Sequence, residues 1–221
     1  MAPTGGNLDL IKEINTNTPI VFVDRDIESL NIDYVGIKNF EAAYESMKHL
    51  VDLGHKRIAL LYSYEHISST QERMKGYHQA IKDFNLVDDD NLLIKVKASS
   101  KTHESREYIR AYLKNNERPD CILVINNMLT IELISVLKEL GLASPQDIAV
   151  IGITDFYWCW AFEPALSMVH VSQNDLGMRA VDLLVENING EKKGITKERI
   201  DFKLIIRDSC GAMKGPVRII E

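Results

Sequence analysis

The residues best suited to chemistry in this 221-residue chain are polar pairs that follow apolar runs. Asp24-Arg25 follows Pro19-Ile20-Val21-Phe22-Val23, and Ser63-Tyr64 follows Ile58-Ala59-Leu60-Leu61-Tyr62. Asn126-Asn127 follows Cys121 to Ile125, and Thr154-Asp155 follows Ile148 to Ile153. Carboxylates, amides, hydroxyls and a guanidinium together can hydrogen-bond a small polar ligand, since they supply both donors and acceptors. The aromatic run Phe156-Tyr157-Trp158-Cys159-Trp160 comes directly after one of these pairs. Phe156 and Trp158 are its candidate contacts, offering ring faces that stack on sugar C–H surfaces or bases; packing at a lobe or dimer surface is the competing use of such residues.

Chemistry of other kinds has no foothold. No Gly-x-Ser-x-Gly, phosphate-binding loop or Gly-x-Gly-x-x-Gly occurs, and Asp88-Asp89-Asp90 reads as an acidic loop rather than an acid–base pair. The six histidines and three cysteines fall in no metal-ligand spacing. The expectation is a protein that is not an enzyme, with no catalytic residue, metal or cofactor.

The elements that must position these pairs follow from periodicity. Each apolar run is short and β-branched, as in strands covered on both faces. Between them lie helical patterns. Ala43, Met47, Leu50 and Val51 form an i, i+4, i+7, i+8 stripe ending at Gly54, and further helices are predicted over 72–84, 105–113, 130–140 and 175–188. Leu92 to Val96 and Phe202 to Ile206 read as further strands, the latter as the last. Strands alternating with helices predict an α/β fold with mostly parallel sheets. In such sheets ligands bind beyond the carboxyl ends of the strands, where all four polar pairs lie. A loop must begin polar in any case, so the pattern alone leaves a cleft and an ordinary surface equally open.

Composition narrows the partners. Lys and Arg number 26 against 32 Asp and Glu, a formal net charge of −6 without a long basic tract. That suits neither DNA phosphates nor an anionic membrane. No apolar run approaches a membrane span, the first residues lack a secretory pattern, and three dispersed cysteines fit a reducing cytoplasm.

Several blocks, in order, resemble the effector-binding domain of LacI/GalR transcription regulators. Pro19-Ile-Val-Phe-Val-Asp24-Arg25 is similar to that family's PvVlvDR strand, and His49-Leu50-x3-Gly54-His55-Lys56-Arg57-Ile58-Ala59 to its HL…GHrrIa segment. Arg73-Met74-Lys75-Gly76-Tyr77-x2-Ala80 resembles R..GY..A, and Arg118-Pro119-Asp120 through Asn126-Asn127 the strand ending in ND. Gly141-Leu142-x2-Pro145-x-Asp147 through Gly152 resembles GL.vP.DisVvGfDd, and Leu204-Ile-Ile-Arg207-Asp208-Ser209 the terminal L..R.S.

The resemblance implies two Rossmann-like lobes of the periplasmic-binding-protein type, joined by three crossovers with the effector between them. It assigns 1–35 and 172–199 to a first lobe, incomplete at its start, and 36–171 and 200–221 to the second. It also implies a helix-turn-helix headpiece and hinge helix outside these residues, operator DNA contacted only through them, a homodimer, and no membrane. Arg73 stands where the family places its principal effector-binding arginine; a surface ion pair with Glu72 or Asp83 is the plain alternative. Asn126 matches the ND asparagine, and Asp24 a position at the cleft edge or a capping or lobe-bridging carboxylate. Three departures matter: Thr154 replaces the first Asp of fDd with Asp155 in second place, Asn127 replaces the Asp of ND, and Lys38-Asn39 stands at the family's DN. They weaken a simple sugar assignment and add a sugar phosphate or uronate to the options; the expected effector is a sugar or sugar derivative. The expected ligand set is Arg73, Asn126, Asp24, Thr154, Asp155, Phe156, Trp158 and Ser63. An exported sugar receptor of the same fold is the rival, and an enzyme on a flavodoxin-like sheet a more distant one.

Overall fold

A computed structural model describes residues 1–3, 6–64, 66–97, 102–191, 194–212 and 218–220. Two sheets organise the described residues. A seven-stranded sheet has the order β10(Arg218–Ile220)-β9(Lys203–Ile206)-β7(Ser167–His170)-β6(Ala149–Ile153)-β5(Cys121–Val124)-β3(Ile58–Tyr62)-β4(Leu93–Lys95). Its strands are parallel from β4 to β7, and β9 is antiparallel to both its neighbours. A three-stranded parallel sheet has the order β1(Val21–Val23)-β2(Asp33–Ile37)-β8(Lys197–Ile200).

Alternation along the strands builds a core on each face of the larger sheet. Ile58, Leu60 and Tyr62 of β3, with Leu123 of β5 and Ile151 of β6, face α2(Asn39–Asp52) and α3(Ser68–Asp83). Ala59, Leu61, Ile122 and Val150 face the opposite way, against Ile109 of α4(Thr102–Asn115) and Leu133 of α5(Asn127–Glu139). In the smaller sheet Phe22 and Tyr34 pack with Ile11 of α1(Leu8–Asn17), while Val21 and Val35 pack with Leu183 of α6(Gln173–Ile188).

Gly54 and Gly76 are among the glycines that the geometry requires. Gly54 takes φ 95° after α2, and His55 N–H then reaches back to Leu50 O at 3.1 Å, satisfying an end carbonyl. Gly76 lets α3 press on α2: a Cβ there would sit 2.3 Å from the Phe40 carbonyl oxygen. That close approach brings the preceding turn of α3, with Arg73, against the start of α2.

Among the described residues the chain passes between the sheets three times, from β2 into α2, from β7 into α6 and from β8 into β9. Some boundaries differ from the periodicity. α3 starts at Ser68 rather than at 72, because Ser68, Ser69 and Thr70 form its first turn. β9 is not the last strand, since β10 pairs antiparallel outside it. α1, β7 and β8 also lay outside the reading. β8 is an exposed-then-half-buried tetrapeptide, Lys197-Glu198-Arg199-Ile200, with no apolar run to announce it.

Candidate functional site

A cleft of about 400 Å³ opens where the carboxyl ends of strands from both sheets meet. Asp24 and Arg25 come from β1, Tyr64 follows β3, Asn126 and Asn127 follow β5, and Thr154 and Phe156 follow β6. Ser69, Thr70 and Arg73 come from α3, and Gln173 and Leu176 from α6.

Arg73 is built in most firmly. It is buried, donating from Nε to Asn39 Oδ1 at 2.7 Å and from Nη1 to the Ile125 carbonyl at 2.8 Å. Asn39, fully buried at the start of α2, is itself placed by Nδ2 contacts with Ile37 O at 3.4 Å and Glu72 Oε2 at 3.3 Å. A guanidinium held in this way has little rotamer freedom left to lose on binding. Burial pulls its pKa below the ordinary arginine value, while Asp24, Tyr34 and Glu72 work in the opposite direction. The surface ion pair considered for this arginine does not form. Its neighbour Glu72 instead pairs with Arg199 of β8 at 2.6 Å, which holds the Arg199 guanidinium above its ordinary value.

Asn126 caps α5: its side-chain oxygen accepts from Met128 N at 3.0 Å and Leu129 N at 3.3 Å. That commits the oxygen and leaves the amide nitrogen as the donor for the cleft. Asp24 takes φ 66°, with its N–H on Val35 O at 3.0 Å, so the backbone turns sharply out of β1. This left-handed conformation is one that Asp tolerates better than most residues.

The structure thus gathers Arg73, Asn126, Asp24, Thr154 and Phe156 in one cleft and leaves Asp155, Trp158 and Ser63 off its lining. Asp155 points away from Thr154, as alternation demands. It forms a two-point ion pair with Arg207, Nη1 to Oδ1 at 3.1 Å and Nη2 to Oδ2 at 3.0 Å, with both side chains about one-tenth exposed. Trp158 stacks on the back of Phe156, with centroids 5.4 Å apart and planes 4° from parallel, and packs in the cluster of Cys159, Leu166 and Met168. Ser63 is buried at the end of β3, and its neighbour Tyr64 reaches the cleft instead. Tyr157 and Trp160 remain largely exposed.

Ser69, Thr70 and Gln173 were missed because they belong to first helical turns, not to strand ends. The Ser68-Ser69-Thr70 run, typical of a helix start, was the available signal. Two contacts tie the sheets together beside the cleft. Asp26 N donates to Ser68 Oγ at 2.8 Å, and Arg199 meets Glu72. Among the described residues no helix is long and apolar enough to cross a membrane, and no group of three or more His, Cys, Asp or Glu is placed to hold a metal ion.

Comparison with known proteins agrees with this architecture. Residues 47–210 match the family described as periplasmic binding protein-like domain. The chain is 28% identical over 209 residues to the HTH-type transcriptional repressor PurR of Haemophilus influenzae (strain PittEE), covering 93% of this chain and 61% of that protein. It is 27% identical over 206 residues to the same-named repressor of Pasteurella multocida (strain Pm70), covering 93% of this chain and 61% of the relative. The chain therefore spans about three-fifths of the length of these curated relatives. Among solved structures, a LacI family transcriptional regulator from Enterococcus faecium with bound ribose superposes with a TM-score of 0.84 at 23% identity, covering 96% of this chain and 79% of the other. The transcription regulator CcpA of Lactococcus lactis gives 0.80 at 25%, covering 91% and 73%. The chain belongs to the periplasmic binding protein-like domain family, in the form carried by LacI/GalR-type transcription regulators.

Proposed function

We propose that this chain is the effector-sensing part of a DNA-binding transcription regulator, taking a small polar ligand, a sugar or sugar derivative, into the cleft. In this reading residues 1–35 with 172–199 form one lobe and 36–171 with 200–221 the other. The ligand shifts the population of lobe arrangements, because it contacts residues of both lobes and binds one arrangement better. The protein acts as a homodimer in the bacterial cytoplasm, where operator DNA is reached through a helix-turn-helix segment outside these 221 residues.

The carrying observation is Arg73, buried, fixed by Asn39 and Ile125 O, and opening on a cleft that both sheets line. Asn126, Asp24 and Thr154 supply the further polar contacts and Phe156 the stacking wall, which Trp158 backs. Asp155 ties the end of β6 to Arg207. The repressor and sugar-bound regulator among the relatives favour sensing over export.

Thermal unfolding across ribose, cellobiose, sugar phosphates and nucleobases tests this. A ligand at 100 times its Kd adds about 2.7 kcal/mol, a rise of roughly 5–10 °C for a chain of this size. Arg73→Lys is expected to abolish that rise, because a point charge cannot reproduce the fork. A ligand whose effect survives both Arg73→Lys and Phe156→Ala binds elsewhere, and the cleft assignment then fails.

A further inference from the structure

We infer that the cleft's ligand carries an anionic group, a carboxylate or a phosphate, seated between Arg25 and Arg73; this rests on the cleft being the ligand site. Elsewhere in the molecule, buried and half-buried guanidinium groups meet carboxylates. Arg207 meets Asp155 at 3.0 Å, Arg57 meets Asp89 at 3.1 Å, Arg179 meets Glu198 at 2.7 Å and Arg199 meets Glu72 at 2.6 Å. Of the two arginines lining the cleft, Arg73 has no such partner and Arg25 has only a loose one in Asp24. Arg73 is the more deeply buried, yet its two hydrogen bonds end on neutral oxygens, an amide and a peptide carbonyl. No carboxylate among the described residues lies within ion-pair distance of it.

Arg25, from the opposite sheet, has its Nε buried without a hydrogen-bond acceptor among the described residues. Its nearest carboxylate oxygen, on the adjacent Asp24, stands 3.6 Å away, beyond hydrogen-bond length. A buried charge is costly unless paired and hydrogen-bonded. Asp24 can answer one of the two charges, which leaves the cleft with a net positive charge and a planar donor fork. The two guanidiniums also repel, since Arg25 depresses the pKa of Arg73 further.

An oxyanion between them removes both costs and accepts two-point hydrogen bonds from arginine. The Asn126 amide and the Ser69, Thr70 and Thr154 hydroxyls can donate to its remaining oxygens. Because Arg25 and Arg73 belong to different sheets, the same anion ties the two halves of the molecule together. Recognition and closure would then be one event.

The test is calorimetry and thermal unfolding of the full chain at constant ionic strength in sodium chloride. The anionic probes are inorganic phosphate, acetate, glucuronate and glucose 6-phosphate, and the neutral ones are glucose and ribose. The expected result is saturable binding of a carboxylate or phosphate probe at least tenfold tighter than its neutral counterpart. Glucuronate against glucose 6-phosphate separates the two anion classes. Arg25→Gln should erase the preference, whereas Arg25→Lys, which keeps the charge, should retain it. Equal or tighter binding of the neutral sugars overturns the anionic assignment and leaves the cleft standing as a ligand site. Failure of every anionic probe to stabilise the protein beyond chloride also overturns it, and the ligand screen in Arg73→Lys then judges the cleft independently. A preference that survives Arg25→Gln removes Arg25 from the site.

Discussion

The seven-stranded and three-stranded sheets are built from the same alternation but differ in how much of it they cover. In the larger, β3, β5 and β6 are buried along their whole length, with an apolar cluster and a pair of helices on each face. In the smaller, β8 is exposed at every second residue, and each cluster is a handful of side chains. Helix α6 leaves Met178, Val181, Val185 and Ile188 open to solvent at i, i+3, i+7 and i+10, and α1 leaves Leu10 and Ile14. Polar ties take a larger share there. Asp33 accepts from Thr196 N at 2.5 Å and Asn187 Nδ2 at 2.6 Å, and Lys197 reaches Asp26 at 2.6 Å. Burial of apolar area is the main favourable contribution to folding. The larger sheet therefore carries more of the apolar stabilisation than the smaller one.

The largest break in that comparison is expected from Arg207→Ala. Removing it strands the Asp155 carboxylate, only about one-tenth exposed, between β6 and β9. Losing one partner of a buried pair costs about 3–5 kcal/mol, to be read from urea unfolding. His170, 3.6 Å from Asp155 and half exposed, is a poor substitute.

A matched pair sharpens the contrast. Leu60→Ala in the larger core and Leu183→Ala beneath the smaller sheet both remove a fully buried leucine. The first is expected to cost about 3 kcal/mol and the second about 2, since partly exposed neighbours can relax into the space. Equal costs would show that the two halves are equally well packed. Tyr77→Phe then tests a single polar tie in the larger core. Its hydroxyl donates to Ile58 O at 2.8 Å, and its loss should cost about 1 kcal/mol in the same assay.

The smallest effect concerns pH. Burial lowers the His49 pKa from 6.5, with Asp52 opposing and His55 reinforcing the shift. Below pH 6.5 the unfolded chain takes up a proton that the folded chain resists, so stability falls as pH drops through that range and is unaffected above it. His49→Gln should flatten this slope in unfolding measured between pH 5 and about 7.5.

Most elements of the larger sheet were legible because their strands are unbroken apolar runs and their helices carry full stripes, as in β3 and α2; β7 and β10 were not read. In the smaller sheet β1 and α6 were legible, but β8 was not, because it is polar in sequence and is a strand only through its pairing with β2. Within the candidate site, Arg73, Asn126, Asp24, Thr154 and Phe156 came together, whereas Asp155 and Trp158 turned elsewhere. Thr154 and Asp155 are neighbours on opposite faces of one chain, and nothing in a dipeptide says which face looks into a cleft.

By itself the sequence determined the period of its apolar residues, hence the α/β class, the parallel sheets and the edge at which polar residues gather. Those are local properties, set by the reach of a backbone hydrogen bond and the pitch of a helix or strand. Partner choice was decided only by the tertiary structure. Asn39 holds Arg73 from 34 residues away, and Arg207 claims Asp155 across 52. Whether a charge is answered inside the protein or left open to a ligand depends on which side chains the closed fold brings within about 3 Å, a distance that sequence spacing does not encode.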